Sequence, residues 1–201
     1  MTASARSPDE SSYATSATLV ARVQANQQAA WQRLVDLYGP LIYSWGCRSG
    51  LASEDAADVM QEVFAAVARA IGNFDPAAQG RFRGWLWTIT RNKIRDHHRR
   101  LIAEPPGRGG DAALRQLAEL PEQWDDDASD ATRHEVRALY HRALDLIRND
   151  FQPQTWQAFW LSVVEEQPTD VVARRLGLSA NSVRQAKSRV LRRLRAELGD
   201  S

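Results

Sequence analysis

Apolar residues recur by threes and fours along most of this chain, and that spacing predicts helix. The pattern begins near Thr18, where Leu19, Val20 and Val23 are followed by Ala30, Trp31, Leu34, Val35 and Tyr38. Gly39-Pro40 should break the run, because proline lacks the helical N–H; Leu41 to Cys47 then forms another short helix ending at Gly50. Ser53 suits an N-cap, with Glu54 and Asp55 in the first turn, where the helix dipole favours acids. The helix it opens should reach about Ile71, with Val59, Val63, Val67 and Ala70 inward and Phe64 alongside. After a loop around Asn73 to Gly80, a further helix is predicted from Phe82 to about Arg100, its apolar side formed by Trp85, Leu86, Ile89 and Ile94. No segment alternates as a strand would. The expected fold class is all-α.

Residues 1–17, rich in Ser, Thr and Ala, read as a flexible leader. Pro105-Pro106-Gly107 and Gly109-Gly110 cannot continue a helix, so 101–131 reads as a flexible linker, with room for one helical turn around Leu114 to Leu117. Helical spacing resumes near Ala131 with Val136, Leu139, Tyr140, Ala143, Leu144 and Ile147. Pro153 opens the next helix, which buries Trp156, Phe159, Trp160 and Val163; Pro168 and Thr169 open a last pair. The expectation is two small helical domains, 18–100 and 132–201.

Composition adds a limit and charge adds a direction. With 43% hydrophobic and 25% charged residues, the 201-residue chain is not disordered throughout. The net charge of +1 hides segregation. From Val171 to Arg195 every charged side chain is basic; from Arg81 to Arg100 the only acid is Asp96; between them runs an acidic stretch, Glu119 to Asp130. Two basic blocks separated by an acidic spacer predict two contacts with a polyanion. Cys47 is the only cysteine, so no disulfide forms within the chain and no cysteine-based zinc site exists. No apolar run approaches the roughly 20 residues that span a bilayer, and the expected location is the cytoplasm. His97, His98, His134 and His141 form no metal or triad pattern, and no glycine loop cradles phosphate. Neither an enzyme nor a bound cofactor or metal is expected.

Thr169 to Ser188 has the spacing of a helix-turn-helix. Ala173 is the small residue where the helices touch, Gly177 can take the left-handed turn, and Val183 pins the second helix, which Ser179 is suited to cap. With Val183, Ala186, Val190 and Leu194 inward, the opposite face carries Asn181, Ser182, Arg184, Gln185, Lys187, Ser188, Arg189 and Arg192. Arg can read guanine and Gln adenine in the major groove, while the other bases neutralise phosphate. A plain helical hairpin with a basic exposed face is the bland alternative.

The N-terminal half adds two features. Asp55, Asp58 and Glu62, with Gln61 between them, form an acidic stripe at helical spacing that can dock a basic partner helix. Phe82 to Arg100 interleaves bases with tryptophans, as a surface for single-stranded nucleic acid requires. Trp85 is expected in the core; Trp87 reads either as a second core aromatic or as part of a nucleic-acid face with Arg91, Arg99 and Arg100, and it is placed on the latter.

Asp58, Gln61, Glu62 and Phe64, then Trp85, Leu86, Ile89 and Asn92, then Asp96, His97, Arg99 and Arg100, resemble region two of the extracytoplasmic-function (ECF) group of bacterial RNA polymerase sigma factors. Thr169 to Leu194 resembles their region four. The resemblance covers roughly residues 18–100 and 132–198. It implies a sigma factor that binds core RNA polymerase and directs promoter-specific initiation. Asp55, Asp58, Gln61 and Glu62 would dock on the polymerase. Trp87, Arg91, Asn92, Lys93, Arg95, Asp96, Arg99 and Arg100 would bind the melted minus-ten element. Asn181, Ser182, Arg184, Gln185, Lys187, Ser188, Arg189 and Arg192 would bind the minus-thirty-five element as duplex. An anti-sigma factor is a further partner the resemblance allows, and the acidic linker fits a nucleic-acid mimic. Two departures stand out. Asn181 to Ala186 replaces the frequent Gly-Thr-Val-Lys-Ser-Arg, so promoter preference does not transfer, and Val164 to Pro168 lacks the usual glycine. A helix-turn-helix repressor or activator acting without core polymerase is the competing reading; it leaves the Trp85 to Asn92 pattern unexplained.

Overall fold

The computed structural model describes residues 18–103, 115, 119–122, 125 and 129–199. The expected leader and most of the expected linker lie outside them. Among the described residues there are helices and turns and no strand.

Helix α1, Leu19–Gln24, starts where the Thr18 hydroxyl accepts the Ala21 N–H at 3.1 Å. Helix α2, Gln28–Arg48, runs unbroken through Gly39-Pro40, against expectation. Gly39 has no Cβ to meet the proline ring, and it sits close to α3, where an added Cβ would lie 3.6 Å from Met60 Sδ. Leu37 and Tyr38 before the proline and Leu41, Ile42 and Trp45 after it are all buried, so packing on both sides holds the two halves in line. Helix α3, Ser53–Ala70, begins one residue earlier than the expected cap: Ala52, not Ser53, occupies the N-cap, with no side-chain bond. Its buried stripe is Ala56, Val59, Val63 and Val67, while Ala70 is only half-buried.

After the short helix α4, Pro76–Gln79, helix α5 spans Phe82–Ala103. Phe82, Leu86, Thr90, Ile94 and His98 are buried at intervals of four, with Arg83 and Trp87 beside them. Phe82 meets Tyr38 edge-on at 5.2 Å, and Trp87 meets Trp45 in the same way at 5.2 Å. Such pairs contribute about 0.5–1.5 kcal/mol each beyond area burial.

Helix α6, Asp130–Ile147, is capped by Ser129, whose hydroxyl accepts the Thr132 N–H at 3.1 Å. Helix α7, Pro153–Phe159, passes directly into a π turn at Trp160–Val164, where the Glu165 N–H bonds the Trp160 carbonyl at 3.1 Å. Helix α8, Thr169–Leu176, stops at Gly177 with φ +64°, and the Leu178 N–H closes on the Ala173 carbonyl at 2.9 Å. That wrapped end needs a left-handed residue, which glycine supplies without steric cost. Helix α9, Ala180–Glu197, is capped by Ser179 through the Ser182 N–H at 3.0 Å. Ala158, Leu161, Val172, Ala173, Val183 and Ala186 form the small core between α7, α8 and α9.

The two helical groups do not stand apart. Leu139, Ala143, Leu144 and Ile147 of α6, with Val190, Leu194 and Leu198, join the N-terminal residues in one continuous apolar cluster. Helix α6 lies against α2, and the end of α9 against α1.

Candidate nucleic-acid interface

The interval-of-four stripe decides what α5 offers to solvent. Asn92, Asp96, Arg99 and Arg100 are exposed, and Arg91, Lys93 and Arg95 half-buried. Trp87 departs from expectation: its ring is 3% exposed and turned onto Trp45, so in this arrangement it has no free face for a base. The tryptophan nearer the surface is Trp85, half-buried against Phe74 and Phe82. Arg91 donates to the Glu122 carbonyl at 2.5 Å, and neighbouring Leu120 is buried in the main cluster, so part of the acidic stretch lies over α5.

The acidic row on α3 meets these bases. Asp58 and Gln61 face solvent. Asp55 lies 3.7 Å from His97 Nε2, and Glu62 is held by Arg100 at 3.0 Å and Lys93 at 3.4 Å. Burial pushes the Glu62 pKa up, but the bonds and charges of Arg100 and then Lys93 outweigh it and hold the carboxyl below its ordinary value. Behind the row, His98 is 1% exposed and its Nε2 donates to the Ser49 carbonyl at 3.1 Å, tying α5 to the end of α2. Burial lowers the His98 pKa, the Ser49 bond opposes this, and the charge of His97 adds to the lowering.

On α9 every residue placed on the reading face is open except Ser182, which is half-buried beside its cap. Arg184, Gln185, Ser188, Arg189 and Arg192 follow one another along it, with Asn181 and Lys187 at its flanks. The inward face is Val183, Ala186, Val190, Leu194 and then Glu197. The three sets thus occupy three surfaces, and α3 and α5 share a seam of ion pairs.

Sequence reasoning missed a polar network between the two helical groups. Glu197, fully buried, forms an ion pair with Arg33 of α2 at 3.2 Å and accepts a hydrogen bond from Arg193 at 2.6 Å. Arg48 pairs with Glu135 at 3.1 Å and donates to the Thr132 hydroxyl at 2.9 Å; Tyr38 donates to the Leu198 carbonyl at 2.8 Å. One signal was available. Glu197 is the only acid in α9 and falls in step with its apolar stripe.

Among the described residues no group of three or more His, Cys, Asp or Glu could hold a metal, and no helix is long and apolar enough to cross a membrane.

An acid-rowed helix beside a basic one, followed by a basic helix after a tight glycine turn, defines the class: a helical protein with two cationic surfaces. Residues 34–102 match the family described as sigma-70 region 2. The chain is 35% identical over 81 residues to the RNA polymerase sigma factor CnrH of Cupriavidus metallidurans, covering 40% of this chain and 41% of that protein. It is 30% identical over 173 residues to the ECF RNA polymerase sigma factor SigE of Mycolicibacterium smegmatis, covering 83% and 60%. Over 80 residues it is 39% identical to the ECF RNA polymerase sigma factor BldN of Streptomyces coelicolor, covering 39% and 30%. In each case the chain spans less than two thirds of the relative's length. Residues 34–102 are thus similar to sigma-70 region 2, and the relatives are RNA polymerase sigma factors, SigE and BldN among them of the ECF group.

Proposed function

We propose that this protein binds core RNA polymerase and directs initiation at particular promoters, with no catalytic site of its own. The observation that carries the reading is the region 2 match across α3 and α5, the two helices that present the acidic row and the basic surface. Asp58 and Gln61, with Asp55 and Glu62 at the seam, dock on a basic polymerase helix, where charge complementarity sets rate and register. Asn92 offers a donor and an acceptor to an unpaired base edge, and Asp96 accepts from one. Arg91, Lys93, Arg95, Arg99 and Arg100 follow the phosphates of the opened strand. An extruded base costs a few kcal/mol in stacking and pairing, which its pocket contacts must return. The α9 face enters the major groove of the upstream duplex, Arg184 and Gln185 toward base edges and Lys187, Arg189 and Arg192 toward phosphate. An anti-sigma factor is the further partner that fits this reading, and cytoplasm the location.

Transcription in vitro with purified core polymerase and a genomic fragment library is the test. The full chain should start RNA at a small set of fragments. Asp58→Arg should lose core binding while retaining the helical fold. A chain that leaves core polymerase silent on every fragment, or binds duplex sites equally well without it, overturns the proposal.

A further inference from the structure

We infer that Glu62 is a positioning residue of the nucleic-acid surface: its carboxylate holds Lys93 and Arg100 along one edge of α5 and limits how strongly that edge draws phosphate, so that base contacts decide which strand is bound. The inference deepens the proposed promoter function and rests on it.

Glu62 stands apart from the rest of its row. Asp58 and Gln61 face solvent, whereas the Glu62 carboxylate is already engaged across the seam with α5. Oε1 accepts from Arg100 Nη2 at 3.0 Å, and Oε2 lies 3.4 Å from Lys93 Nζ. Lys93 and Arg100 are seven residues apart, about 10.5 Å along the axis at about 1.5 Å per residue. Each oxygen therefore takes one cation, and both cations are drawn to the α3 side of the helix. Burial works against the Glu62 charge, but the bonds and charges of Arg100 and Lys93 outweigh it, so the carboxylate is ionised at neutral pH. The Asp96–Arg99 pair is different: it lies within α5 at 3.7 Å and leaves both side chains more than half exposed.

Folding does not explain this clamp. The Arg100 side chain is 59% exposed and that of Glu62 37%, and ion pairs so open to solvent add little to stability. What the carboxylate changes is the field. Lys93 and Arg100 are two of the five cations proposed to follow the opened strand, and the Glu62 charge cancels one of theirs. Phosphate attraction carries no sequence information, whereas contacts to base edges do. A weaker charge term leaves Asn92 and Asp96, exposed one turn apart on α5, a larger share of the discrimination. A basic polymerase helix would have to take Glu62 from two cations already in place, which leaves docking chiefly to Asp58 and Gln61.

Glu62→Gln removes the charge and keeps the size, while Glu62→Asp keeps the charge. Each full chain is assembled with core polymerase at saturating concentration. Binding is then measured for two single-stranded oligonucleotides, one with the opened-strand sequence of a selected promoter and one with the same bases scrambled. With two cations released, log affinity of Glu62→Gln should fall with log salt more steeply, by about 0.7–1.4 in slope. At about 50 mM salt it should bind the scrambled strand about threefold more tightly, and the preference for the selected strand should fall by about the same factor. Glu62→Asp should follow the unaltered chain. An unchanged salt slope in Glu62→Gln overturns the inference, and so does weaker binding to both strands, the result of losing a purely structural ion pair. Loss of core affinity with slope and preference unchanged also overturns it and returns Glu62 to polymerase contact alone. An unaltered complex that treats the two strands alike would instead sink the promoter function itself.

Discussion

Arg33→Ala is the most direct probe of how the two helical groups hold together. The side chain forms an ion pair at 3.2 Å with the buried Glu197 carboxylate and donates one hydrogen bond, at 2.6 Å, to the Leu146 carbonyl. A hydrogen bond from a charged group contributes about 1.5–3 kcal/mol, and the ion pair adds to it. Two corrections reduce the sum. Arg33 is 25% exposed, so solvent already screens part of the interaction, and Glu197 keeps Arg193 at 2.6 Å after the change. A net loss of about 2–3 kcal/mol follows. With a urea dependence of about 2 kcal/mol per molar, the midpoint should fall by roughly 1 M. The transition should also broaden or split, because the lost bonds join one group to the other. Urea unfolding followed by far-ultraviolet circular dichroism and by tryptophan fluorescence measures both effects. A midpoint shift worth under about 0.5 kcal/mol, with coincident curves from the two probes, would mean that Arg193 alone satisfies Glu197 and that Arg33 couples nothing.

His98→Gln keeps a donor for the Ser49 carbonyl and removes a titrating ring. The folded His98 pKa lies below 6.5, so its contribution is complete above that pH. As pH falls from 6.5 toward the folded value, the unfolded chain binds the proton first and stability drops, by at most about 1.4 kcal/mol per pH unit. Stability curves of the two proteins should therefore diverge below pH 6.5; parallel curves would remove His98 as the source. Gly177→Ala meets open space but forces a left-handed alanine, and should cost about 1 kcal/mol in thermal unfolding without altering reading residues. Arg184→Ala should weaken binding to the selected upstream duplex by about 1–3 kcal/mol and relax base preference at one position, as competition binding at fixed salt would show.

Helices were legible wherever one apolar stripe faced one core. The α8–α9 pair is the plainest case: Ala173, Gly177 and Val183 each need a particular residue type for a local reason, and local reasons can be seen in sequence. Pro40 shows the limit. A proline rule is local, but the burial of Leu37, Tyr38, Leu41 and Ile42 on either side is a tertiary fact that overrides it. Trp87 shows another. Bases flank it as they flank Trp85, and only the four-residue interval from Phe82 to His98, with polar Thr90 and His98 inside it, turns Trp87 inward. The contacts of Arg33 with Glu197, Arg48 with Glu135 and Tyr38 with Leu198 join residues more than 80 positions apart, and no periodicity reaches so far.

The π turn at Trp160–Val164 sets a phase and not just a length. A π turn holds about one residue more than an α turn, which offsets the side chains that follow it by roughly 100° from where an unbroken α-helix would aim them. Leu161, three residues after Ala158, enters the small core at ordinary helical spacing, and the offset takes effect beyond it, on the approach to α8. Deleting one residue late in this turn would leave a respectable helix with Leu161 in place and α8 launched along a different heading. Insertions and deletions here should therefore change the bearing of α8 and α9 before they change helix content.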